Sequence, residues 1–116
     1  MKTIFDNVSY SCSKIVTQSY STSFALATKM LDNTIRADIY NIYGFVRFAD
    51  EIVDTFHDYD KKQLFEKFEV ALEDALKNKI SLNPILNAFQ HTYHTYDIPK
   101  HLVDSFMKSI DRKSVV

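Results

Sequence analysis

A single glycine, Gly44, and two prolines in 116 residues leave no room for a Gly-rich phosphate loop, since neither G-x-G-x-x-G nor G-x-x-x-x-G-K-[ST] can be written. P-loop and dinucleotide folds are excluded. A single cysteine, Cys12, rules out an internal disulfide framework and a Cys-rich zinc site. Any fold must therefore rest on packing. Neither sign of charge dominates: 14 basic and 15 acidic residues leave a net charge of −1, so no global basic field marks a nucleic-acid binder. Long apolar runs are missing too. Stretches such as residues 24–27 fall far short of the ~20 residues that cross a bilayer. The opening Met1-Lys2-Thr3-Ile4-Phe5-Asp6 meets an acid before an apolar leader segment could form. The chain reads as cytoplasmic.

What is present is 46% hydrophobic and 14% aromatic residues, enough for the core of one modest domain. The scarcity of helix breakers predicts an all-α fold of six helices joined by short polar breaks. The expected spans are residues 6–18, 23–31, 35–56, 61–77, 84–96 and 100–110. Ser19, Ser21, Thr22 and Ser23 mark a break because their hydroxyls compete for backbone donors. Asp60 is the expected N-cap of the fourth helix, and Pro84 and Pro99 suit helix starts. The closing residues 111–116 neither end a helix neatly nor form a clear tail.

The third helix carries the chemistry. At about 100° per residue, Ile35, Ile39, Ile42, Phe45, Val46, Ala49, Ile52, Val53 and Phe56 share one apolar arc. Arg36, Tyr43, Arg47, Asp50 and Asp54 fall within roughly 60° of one another beside it. This stripe has no lysine and borders the core instead of opposing it. Asp50 and Asp54 are one turn apart, and two like charges at that spacing repel unless something compensates. Hard oxygen donors so placed suit Mg2+, which takes one or two carboxylates with water and phosphate oxygens. Arg47 adds a planar fork suited to phosphate. The same pattern is also that of a solvated face with Arg47 as its ion-pair partner, and spacing leaves both readings open. Two acids near a helix C-terminus oppose the macrodipole, which favours a site.

The segments Tyr20-Ser21-Thr22-Ser23-Phe24-Ala25-Leu26-Ala27 and Ile39-Tyr40-Asn41-Ile42-Tyr43-Gly44-Phe45-Val46-Arg47-Phe48-Ala49-Asp50-Glu51-Ile52-Val53-Asp54 resemble the squalene/phytoene synthase family, most closely the bacterial phytoene synthases. The shared pattern is Ser-x-Ser-Phe, then a helix with Tyr, Arg four residues later and Asp-x-x-x-Asp three beyond. The resemblance extends from near Met1 to about Met107. It implies an isoprenoid-synthase-type helical bundle of which residues 1–116 are a single incomplete domain, the N-terminal part. It also implies two acidic motifs holding magnesium against prenyl diphosphates. Carried onto matching positions, Asp50 and Asp54 would bind metal, Arg47 would bind diphosphate, and Ser21 and Ser23 would offer hydroxyls. Phe24 and Tyr43 would line the pocket. The implied reaction joins two geranylgeranyl diphosphates head to head, through a cyclopropyl diphosphate, to phytoene.

Alternatives implied beside it are squalene or dehydrosqualene formation from farnesyl diphosphate, and a non-catalytic helical interaction remnant. Family members are more than twice this long, and after Met107 they continue with an acidic, Met-containing segment that this chain lacks. The expectation is a truncated chain, inactive or nearly so alone, with peripheral membrane contact through a lipid-soluble product and self-association through exposed apolar faces. Other polar residues read as structural. Glu69 and Glu73 share the acidic spacing but lie on a charged amphipathic stretch. Asp58 reads as a turn residue; His91, His94 and His101 lack zinc spacing; Cys12 reads as packing. Lys61-Lys62 and Asp111-Arg112-Lys113 lack the aromatic interleaving of a nucleic-acid surface.

Overall fold

The computed structural model describes residues 2–115, apart from the side chains of Thr22, Ser114 and Val115. Six helices follow one another: α1 (Lys2–Tyr20), α2 (Thr22–Lys29), α3 (Asn33–Asp54), α4 (Lys61–Asn78), α5 (Pro84–Thr95) and α6 (Lys100–Val115). Among the described residues no strand forms. The all-α expectation holds, with several boundaries shifted; α2 and α3 stop at Lys29 and Asp54, two residues short of their expected ends. Helix α1 starts at Lys2, where a Lys2–Asp6 pair at 2.9 Å braces its first turn, and it continues to Tyr20. Helix α3 starts earlier because Asp32 caps it, accepting from the Thr34 N–H. Helix α6 does not stop at Ile110 but continues to Val115, with Arg112 and Lys113 in a last turn that favours cations. Asp60 and Asn83 cap α4 and α5 through Gln63, Ile85 and Leu86.

The core is an aromatic cluster centred on α3. Phe45 stacks on Phe89 of α5 with ring centres 4.1 Å apart, lies 6.0 Å from Phe68 of α4 and tilts against Phe106 of α6 at 5.4 Å. Ala49, Ile52, Val53, Leu72, Leu86, Val103, Met107 and Ile110 close around it. The expected apolar arc of α3 is right at its centre but not at its edges. Tyr40, Asn41 and Gly44 are buried as well, whereas Ile35 is exposed.

That difference comes from α1, whose inward face is polar and small. Ser9, Ser13 and Thr17, spaced by four, are fully buried, while Ile4, Val8 and Ile15 face outward. The hydroxyls of Ser9 and Thr17 donate to the carbonyls of Phe5 and Ser13 one turn back, which satisfies them without a partner helix. Gly44 makes the close approach possible, since a Cβ there would sit 3.0 Å from the Ser13 Oγ and 3.3 Å from its Cα.

Asn87, fully buried on α5, joins three segments. It donates to Asp6 Oδ1 at 2.8 Å and to Ser9 Oγ at 3.2 Å, and its Oδ1 accepts from the Ser81 N–H. Burial pushes the Asp6 carboxyl up, but the bonds from Lys2 and Asn87 outweigh it and hold the group below its ordinary value. A lowered carboxylate stabilises the fold above its unfolded pKa of about 3.9 and loses that contribution as pH falls through the folded value. Asn87→Ala should cost about 2–3 kcal/mol at neutral pH. It should also blunt the acid loss belonging to Asp6, and urea melts of both proteins across the acid range check this. An unchanged neutral-pH stability would contradict it.

Candidate functional site

Phe45 faces the core, and Arg47, two residues on, is turned about 200° away, so the packing of α3 presents its polar stripe outward. The end of α1 meets that stripe. The Arg47 guanidinium lies over the Tyr20 ring, 5.1 Å from its centre. Its Nη2 is 3.4 Å from Glu51 Oε2 and 3.9 Å from Asp54 Oδ2. From the last turn of α6, Lys113 places Nζ 3.2 Å from Asp50 Oδ1 and 3.6 Å from Asp54 Oδ1. Arg47 and Asp50 are each about one-quarter exposed, at 23% and 24%, and Asp54 is more open at 43%. The three side chains are gathered in one cluster at the surface and are not splayed into solvent.

One turn back along α3, Tyr43 stacks with Phe24 of α2, with ring centres 4.9 Å apart and an interplanar angle of 23°. Ser21 is the N-cap of α2, its Oγ accepting from the Phe24 N–H at 3.2 Å, and Ser23 is exposed on that helix. Capping uses one acceptor site of the Ser21 hydroxyl and leaves its proton free to donate. Arg36, on the same projected stripe, is not part of this cluster. Its Nη2 donates to the carbonyls of Lys29 and Leu31 and closes the C-terminal end of α2. A shared helix face groups residues by angle, but 14 residues along α3 separate Arg36 from Asp50 by about 21 Å.

Two charged members of the cluster were not expected from sequence. Glu51 is the more buried, with its side chain 13% exposed. The bond from Thr55 is the strongest influence on it; burial opposes, and bonds from Tyr20 and Arg47 complete a set that holds its carboxyl below the ordinary range. In return, the bond to Glu51 pushes the Tyr20 hydroxyl up. The available signal was the four-residue spacing of Arg47 and Glu51. Lys113 is the other, and its bond to Asp50 raises it above its ordinary value. No local signal marked it, because residues 111–114 carry no apolar side chain that would extend the helix face past Ile110.

The donor set suits a hard divalent cation, because two carboxylates a turn apart already hold a cationic nitrogen between them. They do not close a coordination shell alone, and among the described residues no group of three or more His, Cys, Asp or Glu converges as a metal site.

The remaining polar candidates lie outside this cluster. Glu73 pairs with Lys100 at 2.8 Å and Glu69 is exposed; both line a cleft of about 280 Å³ between α4 and α6. Asp58 lies in the turn after α3. His94 meets the carbonyls of Gln90 and Leu76 with its two ring nitrogens, tying α5 to the end of α4, while His91 packs against Tyr10. Cys12 is a free, half-buried thiol.

A family model described as squalene/phytoene synthase matches residues 17–113, which includes every residue of the cluster. The chain belongs to the squalene/phytoene synthase family. No curated protein and no solved structure matches it. The match begins later than the resemblance read from the sequence and runs past Met107 into the last turn of α6, where a departure was expected. This is therefore a squalene/phytoene synthase chain of all-α fold, from a family of prenyltransferases that use divalent metal with prenyl diphosphates. Among its described residues, no helix is long and apolar enough to cross a membrane.

Proposed function

We propose that this squalene/phytoene synthase chain carries one side of the grip on a geranylgeranyl diphosphate destined for head-to-head condensation to phytoene. The observation that carries the reading is the joint placement of Arg47, Asp50 and Asp54 one turn from the stacked pair Phe24–Tyr43. A charged head-group site beside an aromatic wall matches the two ends of a prenyl diphosphate. Farnesyl diphosphate, giving squalene or dehydrosqualene, has the same two ends.

In this proposal Asp50 and Asp54 would hold Mg2+, which when bound neutralises charge growing on the departing diphosphate. Arg47 binds the same group through its guanidinium, oriented by Glu51 and the Tyr20 ring. Ser21 and Ser23 donate hydroxyl protons to diphosphate oxygens. Phe24 and Tyr43 present π faces that favour an allylic cation and keep water from it. No protein nucleophile is required. The chain is an incomplete domain in this reading, inactive or nearly so by itself, and cytoplasmic with peripheral membrane contact.

Titrating a non-ionisable geranylgeranyl thiodiphosphate with and without Mg2+, by calorimetry, tests the proposal. Binding should tighten at least tenfold with Mg2+, and Asp50→Asn should remove that gain. Binding indifferent to both would overturn it. Repeating the titration with the farnesyl analogue ranks the two chain lengths. A helical interaction remnant is the second reading, favoured by the exposed apolar side chains Ile4, Val8, Ile15, Leu26, Met30 and Leu82. That reading expects no metal-dependent binding, together with concentration-dependent self-association in size-exclusion chromatography.

A further inference from the structure

The ammonium facing the acidic pair is delivered by the core. Val103, Met107 and Ile110 are buried, and Phe106 packs half-buried against the same cluster, forming the face of α6 that lies on α3 and α4. Lys113 follows Ile110 by three residues and Phe106 by seven, so helical geometry puts it on that same face, one turn beyond the last apolar contact. The apolar stripe ends in a cation where α6 passes the end of α3. Lys113 Nζ then lies between the Oδ1 atoms of Asp50 and Asp54, at 3.2 Å and 3.6 Å.

The charge balance of the cluster gives this contact a consequence. Three carboxylates, Asp50, Glu51 and Asp54, face two cations, Arg47 and Lys113, leaving one negative charge where the acidic pair alone would offer two. Arg47 is engaged by Glu51 and the Tyr20 ring as well as by Asp54. Lys113 is therefore the cation that both members of the Asp50–Asp54 pair share. A divalent ion held by Asp50 and Asp54 would compete with the ammonium for the same two carboxylates, and a like charge left beside it would repel it. The ion pair itself is weak enough to exchange, since the Lys113 side chain is 49% exposed.

We infer that Lys113 is a built-in competitor for divalent cations at Asp50 and Asp54, so that metal enters as the ammonium withdraws. This rests on the metal reading of that pair in the proposed function. Displacement frees the last turn of α6, so metal occupancy and the order of residues near Lys113 are coupled. Lys113 sets the metal concentration at which the pair fills and need not touch the substrate.

The test is a Mn2+ titration of the 116-residue chain in low salt, read as paramagnetic broadening of backbone amide signals around Asp50 and Asp54. Lys113→Gln should reach half-broadening at about one-tenth of the Mn2+ concentration needed by the parent. Lys113→Met, a second neutral variant, should do the same, whereas Lys113→Arg should behave like the parent. Asp50→Asn should abolish the local broadening in either background. Equal Mn2+ affinity in the parent and both neutral variants, with Asp50→Asn still abolishing it, overturns the role of Lys113 and leaves the metal reading standing. Broadening that ignores Asp50→Asn, or is absent from every variant, overturns the metal reading and the competition together.

Discussion

Phe45→Ala is expected to destabilise the chain by about 3–5 kcal/mol, a large share of the ~5–15 kcal/mol that holds a domain of this size together. Phe45 is 3% exposed and its ring meets Phe68, Phe89 and Phe106, so one truncation opens a cavity that faces three helices at once. Helices α4, α5 and α6 cannot all move into that space, because Leu72 and Leu86 already fill its margins. With a urea slope near 1.5 kcal/mol per molar, the unfolding midpoint should fall by roughly 2–3 M. Phe45→Leu keeps much of the volume and should cost only about 1–2 kcal/mol. An alanine variant within about 1 kcal/mol of the parent would show that these rings do not form the core. The consequence reaches the polar stripe, since Phe45 sets the rotation of α3 that turns Arg47 and Asp50 outward.

Arg47→Ala should weaken binding of a prenyl diphosphate about 100-fold, with little effect on folding. The guanidinium sits on Tyr20, is steered by Glu51 and lies 3.9 Å from Asp54, a placement that fixes a planar donor set beside the acidic pair. Losing a positioned, partly desolvated charge partner costs about 2–5 kcal/mol of binding, and 100-fold corresponds to about 2.7 kcal/mol. Folding should change by only ~1 kcal/mol, because Glu51 keeps its bonds from Thr55 and Tyr20 after the arginine is gone. Arg47→Lys should recover little, since an ammonium is a point charge that cannot make two parallel bonds. Calorimetry with the thiodiphosphate, beside urea melts of the same variants, separates binding from stability. A lysine variant that binds as well as the parent would reduce Arg47 to a source of charge alone.

The helices were legible because the polar breaks are well punctuated: Asp60 caps α4 and Pro84 opens α5 as their residue types and positions suggest. The end of α6 was not legible. Residues 111–115 look indifferent in isolation, and they stay helical with Met107 and Ile110 anchored in the core and two cations suiting the last turn. The inward face of α1 was missed for a related reason. Hydrophobicity points to Ile4, Val8 and Ile15, yet close packing on Gly44 selects the small Ser9, Ser13 and Thr17, of which Ser9 and Thr17 donate to carbonyls of their own helix.

The candidate site divides in the same way. Asp50, Asp54 and Arg47 are neighbours through helical repeat, and Tyr43 lies one turn before Arg47, so a linear reading of α3 already groups all four. It groups Arg36 with them as well, because it counts angle and ignores height along the axis. Tyr20, Phe24 and Lys113 join from α1, α2 and α6, separated in the chain by as many as 93 residues, and no local period relates them. The order of residues was enough to establish an all-helical chain with an acidic pair and an arginine on one face. Which groups meet that face, and that a lysine from α6 lies between its two aspartates, depended on how the helices stack, because packing brings together side chains that the backbone keeps far apart.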